Sequence, residues 1–234
     1  TSSATKISYT SATVGGNVTS HGGAGVTERG VVYSTSQNPT TDNTKITSGS
    51  GLGGFTCIIS GLNENTTYYV RAYAVNSKGT AYGEEKSFTT KAIVVPTIIT
   101  SSATNISYTS ATVGGNVTDD GGASIIERGI VYSTSQHPTI DDSKISSGSG
   151  LGTYTCKLTE LQDGVTYYVR AYAVNSKGTA YGEEKSFTTK AITAPIVTTS
   201  SVTNISYASA MVGGIVTGDG GASVTERGVV YSTT

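Results

Sequence analysis

A chain of 234 residues with a net charge of −1 and only 13% charged residues carries no electrostatic footprint for a phosphate backbone or an anionic surface. No apolar run approaches the roughly 20 residues that cross a bilayer as a helix, so neither nucleic acid nor membrane insertion is expected. Average soluble chains are roughly 25% charged; here Ser, Thr and 30 glycines fill the difference, so hydroxyls and tyrosines must build the exposed faces.

The chain copies itself. Residues 1–93 recur as 100–192 without a gap, a third copy starts at Thr199, and Tyr33, Tyr132 and Tyr231 mark one register. A repeat of about 100 residues matches one β-sandwich domain rather than one solenoid coil. The expected division is 1–94, 95–193 and a partial third repeat, 194–234, with strands A to C only. The chain therefore reads as part of a longer array, with any targeting signal removed or lying elsewhere. Strands A to C alone leave an inner face uncovered, so the third copy is expected to be ordered only when docked on a neighbour, with strand exchange through it.

Period-two alternation and turn punctuation dominate, which predicts an all-β chain. In the second repeat, strand A is expected at 98–107, B at 111–118 and C at 125–133. A short strand follows at 144–146, then E at 153–159, F at 166–175 and G at 179–188. Turns fall at Asp120-Gly121-Gly122, at 148–152 and at 175–178, where Gly and Asn tolerate positive φ.

Differences between copies assign faces. Ile58 in the first repeat is Lys157 in the second, so that side of strand E faces water and Cys57 and Cys156 face inward. The two cysteines occupy one position in successive repeats, and pairing them would bring equivalent strands within about 7 Å; both are expected to be free, buried thiols. In strand F, Tyr68, Val70, Ala72 and Ala74 share one face, and Tyr69, Arg71, Tyr73 and Val75 the other. An unpaired guanidinium is too costly inside a thin sandwich. The stripe Tyr69, Arg71 and Tyr73, repeated as Tyr168, Arg170 and Tyr172, is therefore expected to point outward as a candidate partner-binding surface. Its structural alternative is cross-strand packing of the tyrosines around the arginine stem.

The stretch from Leu62 through Tyr68-Tyr-Val-Arg-Ala-Tyr-Ala-Val-Asn76, with Gly79 and Ser87-Phe88-Thr89-Thr90, resembles the second half of a fibronectin type III domain. Ser11-Ala-Thr-Val-Gly-Gly-Asn-Val18, Glu28-Arg-Gly-Val-Val-Tyr-Ser34 and Ala81-Tyr-Gly-Glu84 are similar to the fibronectin-type repeats found in tandem in secreted and surface proteins of Bacteroidetes. The resemblance implies tandem immunoglobulin-like, fibronectin type III-like β-sandwiches that serve as spacers or adhesive modules. It also implies a structural tyrosine corner at Tyr68 and Tyr167, whose hydroxyls bond back to the chain upstream. One position departs. The core Trp usual on strand B is replaced by Gly16, Gly115 and Gly214, and Tyr33, Tyr132 and Tyr231 are the candidates to fill the space.

Other residue types point away from chemistry. His21 aligns with Asp120 and Asp219, and His137 with Asn38, so neither histidine belongs to the repeat. Asp119-Asp120 and Asp141-Asp142 offer oxygen ligands, but the first repeat lacks matching charge, and turn formation accounts for them. No nucleophile, phosphate-loop or metalloprotease motif is present, so no enzyme activity, metal or cofactor is expected. The sequons at Asn17, Asn65, Asn105, Asn116 and Asn204 are expected to be unmodified. Joints ending in Pro96 and Pro195 lack a flexible Gly/Ser tract, which favours stiff connections. The expected function is a non-catalytic spacer and adhesion module of a secreted or surface-attached bacterial protein, contacting glycan or protein. The alternatives are a specific glycan- or protein-binding adhesin and an accessory region of a polysaccharide-degrading enzyme.

Overall fold

The computed structural model describes residues 1–233. The chain divides into two units, Thr1–Val94 and a second that begins at Val95. The first contains β1 (Ser2–Thr5), β2 (Ser11–Val18), β3 (Glu28–Ser34), β4 (Thr44–Thr47), β5 (Gly53–Ser60), β6 (Thr67–Asn76), β7 (Gly79–Tyr82) and β8 (Lys86–Thr89). One antiparallel sheet has the order β1-β2-β5; the other runs β4-β3-β6-β7, with β8 also paired to β6. Alternate residues of β2, β5, β3 and β6, including Val14, Ile59, Val31 and Val70, meet between the sheets as one core.

The second unit repeats this plan with β9 (Thr97–Thr100), β10 (Ala111–Asp119), β11 (Glu127–Ser133), β12 (Ser143–Ser146), β13 (Gly152–Leu158), β14 (Thr166–Asn175), β15 (Gly178–Tyr181) and β16 (Lys185–Thr188). It also holds the third copy, in which β17 (Ile196–Thr199) pairs only with β18 (Gly214–Gly218). Thr193 N donates to Gly220 O at 2.9 Å, and the Tyr108 ring lies over Gly221, where a Cβ would come within 2.3 Å of Cζ.

Three expected strands are shorter than the sequence reading: strand C starts at Glu127 rather than 125, and A and G differ more. Strand A ends at Thr100, and beyond it only Thr104 and Thr112 form an isolated bridge. Strand G breaks between Tyr181 and Lys185, because Gly182 N turns to Ala171 O and strand A approaches at that point. Thr100 Oγ1 accepts the Ala171 N–H at 3.0 Å, and a Cβ on Gly182 would lie 2.4 Å from that oxygen. The first repeat builds the same break with Thr1, Ala72 and Gly83. A glycine is required there because strand A enters the gap the break opens.

The space above the strand B glycine is filled from strand E. Gly16 pairs with Phe55 and Gly115 with Tyr154, and a Cβ on Gly115 would lie 2.7 Å from the Tyr154 hydroxyl. An aromatic ring across from a strand glycine restores the packing that the missing side chain forfeits. Tyr33 instead packs edge-on against Tyr68 at the rim of the core, with centroids 6.2 Å apart. The expectation placed the filling ring on strand C; cross-strand register puts it on strand E.

Candidate functional site

The outer face of the five-stranded sheet holds the expected stripe, but not as an open surface. Tyr73 is 1% exposed and Tyr172 is fully buried, while Tyr69, Arg71, Tyr168 and Arg170 are half-buried. Tyr73 stands opposite Gly30 and Tyr172 opposite Gly129, and a Cβ on Gly129 would lie 2.9 Å from the Tyr172 ring. Tyr172 thus lies down over Gly129, and Tyr73, across from Gly30, is buried as well instead of standing out from the sheet, a correction that alternation in strand F alone could not supply.

The hydroxyl ends of these rings are closed by charge. Tyr73 donates to Glu28 Oε1 at 2.6 Å and Lys45 Nζ donates to the same oxygen at 2.9 Å; the second repeat has Tyr172 and Lys144 on Glu127 at 2.7 and 3.2 Å. The phenol hydrogen bond and then the lysine hold both carboxyls below the usual range. Burial, and then the bond to the carboxylate, push both tyrosine hydroxyls up. Val32 and Val131, neighbours on this face, are fully buried as well.

A loop supplies the cover. Residues 35–43 cross the outer face with Pro39 buried, as does Pro138 in the second repeat. Asn38 N donates to Glu85 Oε2, and Thr41 N donates to the Tyr82 hydroxyl at 2.9 Å. His137 N and Ile140 N make the same bonds to Glu184 and Tyr181. Asn38 and His137 take positive φ, which an asparagine tolerates and which places the backbone N–H at the carboxylate. Arg71 stacks over Tyr82 at 4.7 Å, not over Tyr69 or Tyr73, and its Nε donates to Gly83 O at 3.1 Å; Arg170 treats Tyr181 and Gly182 alike. The guanidinium therefore stitches the broken strand G to strand F.

At the E to F crossover, Asn63 N donates to the Tyr68 hydroxyl at 3.0 Å, and Gln162 N to that of Tyr167 at the same distance. A buried threonine unremarked in the sequence completes this corner. Thr90 Oγ1 donates to Asn63 O at 2.7 Å and accepts from Thr66 N at 2.9 Å, with Thr189 repeating the bonds. The last Thr of Ser-Phe-Thr-Thr in both copies is the available signal.

A second device also escaped sequence reading. Arg29 Nη1 donates to the carbonyls of Gly51, Leu52 and Gly53 at 3.3, 2.7 and 3.0 Å, its Nε to Ser48 O, and its guanidinium lies 5.4 Å over Phe55. Arg128 does the same for residues 147–152 over Tyr154. Glycines at positive φ turn these carbonyls inward, and one arginine gathers them.

Cys57 and Cys156 are buried and free, with Sγ 3.9 Å from the carbonyls of Ile46 and Ile145. Burial pushes both thiols up, away from nucleophilic thiolate. His21 Nδ1 accepts the Gly23 N–H at 3.0 Å, the turn bond that Asp120 Oδ1 makes with Gly122 at 2.8 Å. Asp142 Oδ2 likewise accepts from Thr139 N, as Asn43 does from Thr40. Among the described residues, no group of three or more His, Cys, Asp or Glu could hold a metal ion.

No family profile and no curated protein matches the chain. Among solved structures, it is similar to a segment of two fibronectin type III domains from chicken tenascin: 16% identity, TM-score 0.33, 79% of this chain and 94% of that one. It is also similar to the FN1–FN3 domains of chicken CNTN1, at 18% identity and TM-score 0.35, covering 79% of this chain and 64% of that one. A third is the sensor domain of the anti-sigma factor RsgI4 of Pseudobacteroides cellulosolvens, at 21% identity and TM-score 0.33, covering 43% and 99%. The strand order itself, three strands facing five with strand G split, makes the chain an all-β tandem of fibronectin type III-like sandwiches.

Proposed function

We propose that the chain is a non-catalytic spacer and adhesion module of a secreted or surface-attached bacterial protein, of the kind that Bacteroidetes repeats resemble. The observation that carries this reading is the closed outer face. In both repeats Tyr73 or Tyr172 and Lys45 or Lys144 are bonded to Glu28 or Glu127, and Arg71 or Arg170 to backbone, so most groups that a binding site would present are already engaged. Such a network stiffens a sheet and leaves few groups to receive a ligand. The Thr193–Gly220 bond and the Tyr108 ring over Gly221 support a stiff joint to the third copy, which suits a spacer.

The adhesin reading, with glycan or protein as partner, rests on Tyr69 and Tyr168, which stay half-exposed beside Arg71 and Arg170. An accessory region of a polysaccharide-degrading enzyme shares this surface. Strand exchange with a second chain is proposed through residues 194–233, where Ile205 and Val230 are exposed. A glycan array compares the chain with a Tyr69→Ala, Tyr168→Ala double variant; Tyr73 and Tyr172 are unsuitable because they are buried. No retained glycan is expected. Binding that the double variant loses would replace the spacer with the adhesin.

A further inference from the structure

Both sheets of a sandwich end in strands whose outer backbone groups have no partner, and such edges recruit other chains unless short length or a lysine guards them. In the two complete repeats the guards are visible. The edge strands β1, β4, β7, β8, β9, β12, β15 and β16 are each four residues long. Edge strand β13 is longer, at seven residues, and carries Lys157 at an exposed position. Strand β5 spans eight residues, has no charged side chain and no proline, and pairs with β2 alone. Where β13 has Lys157, β5 has Ile58, which is 70% exposed.

The backbone groups on the open side of β5 follow from its register. A Cβ on Gly15 would lie 2.1 Å from the Phe55 carbonyl oxygen, so that carbonyl points toward β2. Successive residues of an antiparallel strand turn their N–H and C=O to opposite sides. Those of Gly54, Thr56, Ile58 and Ser60 therefore lie on the open edge, and the same residues are exposed.

We propose that the first repeat pairs with a second copy of this chain, β5 against β5, in an antiparallel two-fold arrangement. Centring the pairing on Cys57 engages Gly54, Thr56, Ile58 and Ser60 together and sets each Ile58 across from Thr56 of the other copy. No like charges meet along that seam, whereas the same pairing of β13 would bring Lys157 of both copies onto one face. A two-fold contact occupies the β5 edge of both copies, so association stops at a dimer. Because the paired strands run in opposite senses, the two first repeats lie in opposite directions. This goes beyond the spacer reading, and a blank glycan array leaves it untouched.

The test is sedimentation of the full chain over a range of concentrations, with amide hydrogen exchange read at the same points. A monomer to dimer equilibrium is expected. Exchange at Thr56 and Ile58 slows as concentration rises, while Thr155 and Lys157, the equivalent residues of the second repeat, keep one rate. Ile58→Lys, which gives the first repeat the residue of the second, weakens the dimer more than about tenfold with the melting temperature unchanged. A constant mass, an Ile58→Lys dimer of undiminished strength, or a dimer in which Thr56 and Ile58 exchange does not slow overturns the proposal. The last outcome places association elsewhere, as in strand exchange through residues 194–233. The exchange comparison keeps the test decisive should Ile58→Lys disturb folding.

Discussion

Strand β11 and residues 226–232 carry almost the same sequence, Glu-Arg-Gly-Ile-Val-Tyr-Ser against Glu-Arg-Gly-Val-Val-Tyr-Ser, and have different structures. The first is a strand between β12 and β14; the second forms no strand. Val131 is fully buried, whereas its equivalent Val230 is 98% exposed. Local β-propensity is identical in the two segments, so it does not make the strand. Pairing with strand F and the cover of strand E do.

The largest way to break this comparison is to delete a core side chain in both settings. Ile130→Ala should destabilise the second repeat by about 2–5 kcal/mol, because Ile130 is fully buried between the sheets. Val229→Ala, at the equivalent but exposed position, should leave the denaturation midpoint unmoved. Equal effects would mean that residues 226–232 are packed in solution.

A smaller test uses glycines. A Cβ on Gly114 would lie 2.4 Å from the Tyr154 carbonyl oxygen, while one on Gly213 would meet nothing within 4 Å. Gly114→Ala should cost about 1–3 kcal/mol by forcing strands B and E apart, and Gly213→Ala should be silent. Urea denaturation of each variant decides it.

The smallest effect separates the two complete repeats by pH. Burial raises the hydroxyls of Tyr154 and Tyr172, the latter also through its bond to Glu127. A folded-state pKa above the unfolded value contributes stability that is fully present below about 10 and lost as pH rises beyond it. The first repeat has Phe55 where the second has Tyr154, so the second should lose protection faster under alkaline conditions. Amide hydrogen exchange of Val70 and Val169 measures each repeat separately, and Tyr154→Phe should narrow the gap. On the acid side, the lowered Glu28 and Glu127 contribute stability above the unfolded carboxylate pKa and lose it as pH falls through their folded values.

Much of the fold was legible because period-two alternation survives in strands B, E and F. Strand F spans Thr166–Asn175, the residues its alternation marks, and Lys157 identified the wet side of strand E. The outer-face stripe was misread for a particular reason. Its register was visible, but the glycine across from each tyrosine lies on another strand, and the covering loop comes from a third part of the chain. The Arg29 clamp was hidden likewise, since its partners are backbone carbonyls that no side-chain pattern marks.

By itself the sequence determined the repeat, the all-β class and the inward or outward sense of most strand residues, because a two-residue period and turn glycines are local properties. The tertiary structure alone decided which tyrosines are buried, where strand G breaks and whether a strand C sequence becomes a strand at all. Each of those depends on a neighbour far along the chain whose approach removes water or supplies a partner, and no local pattern encodes that approach.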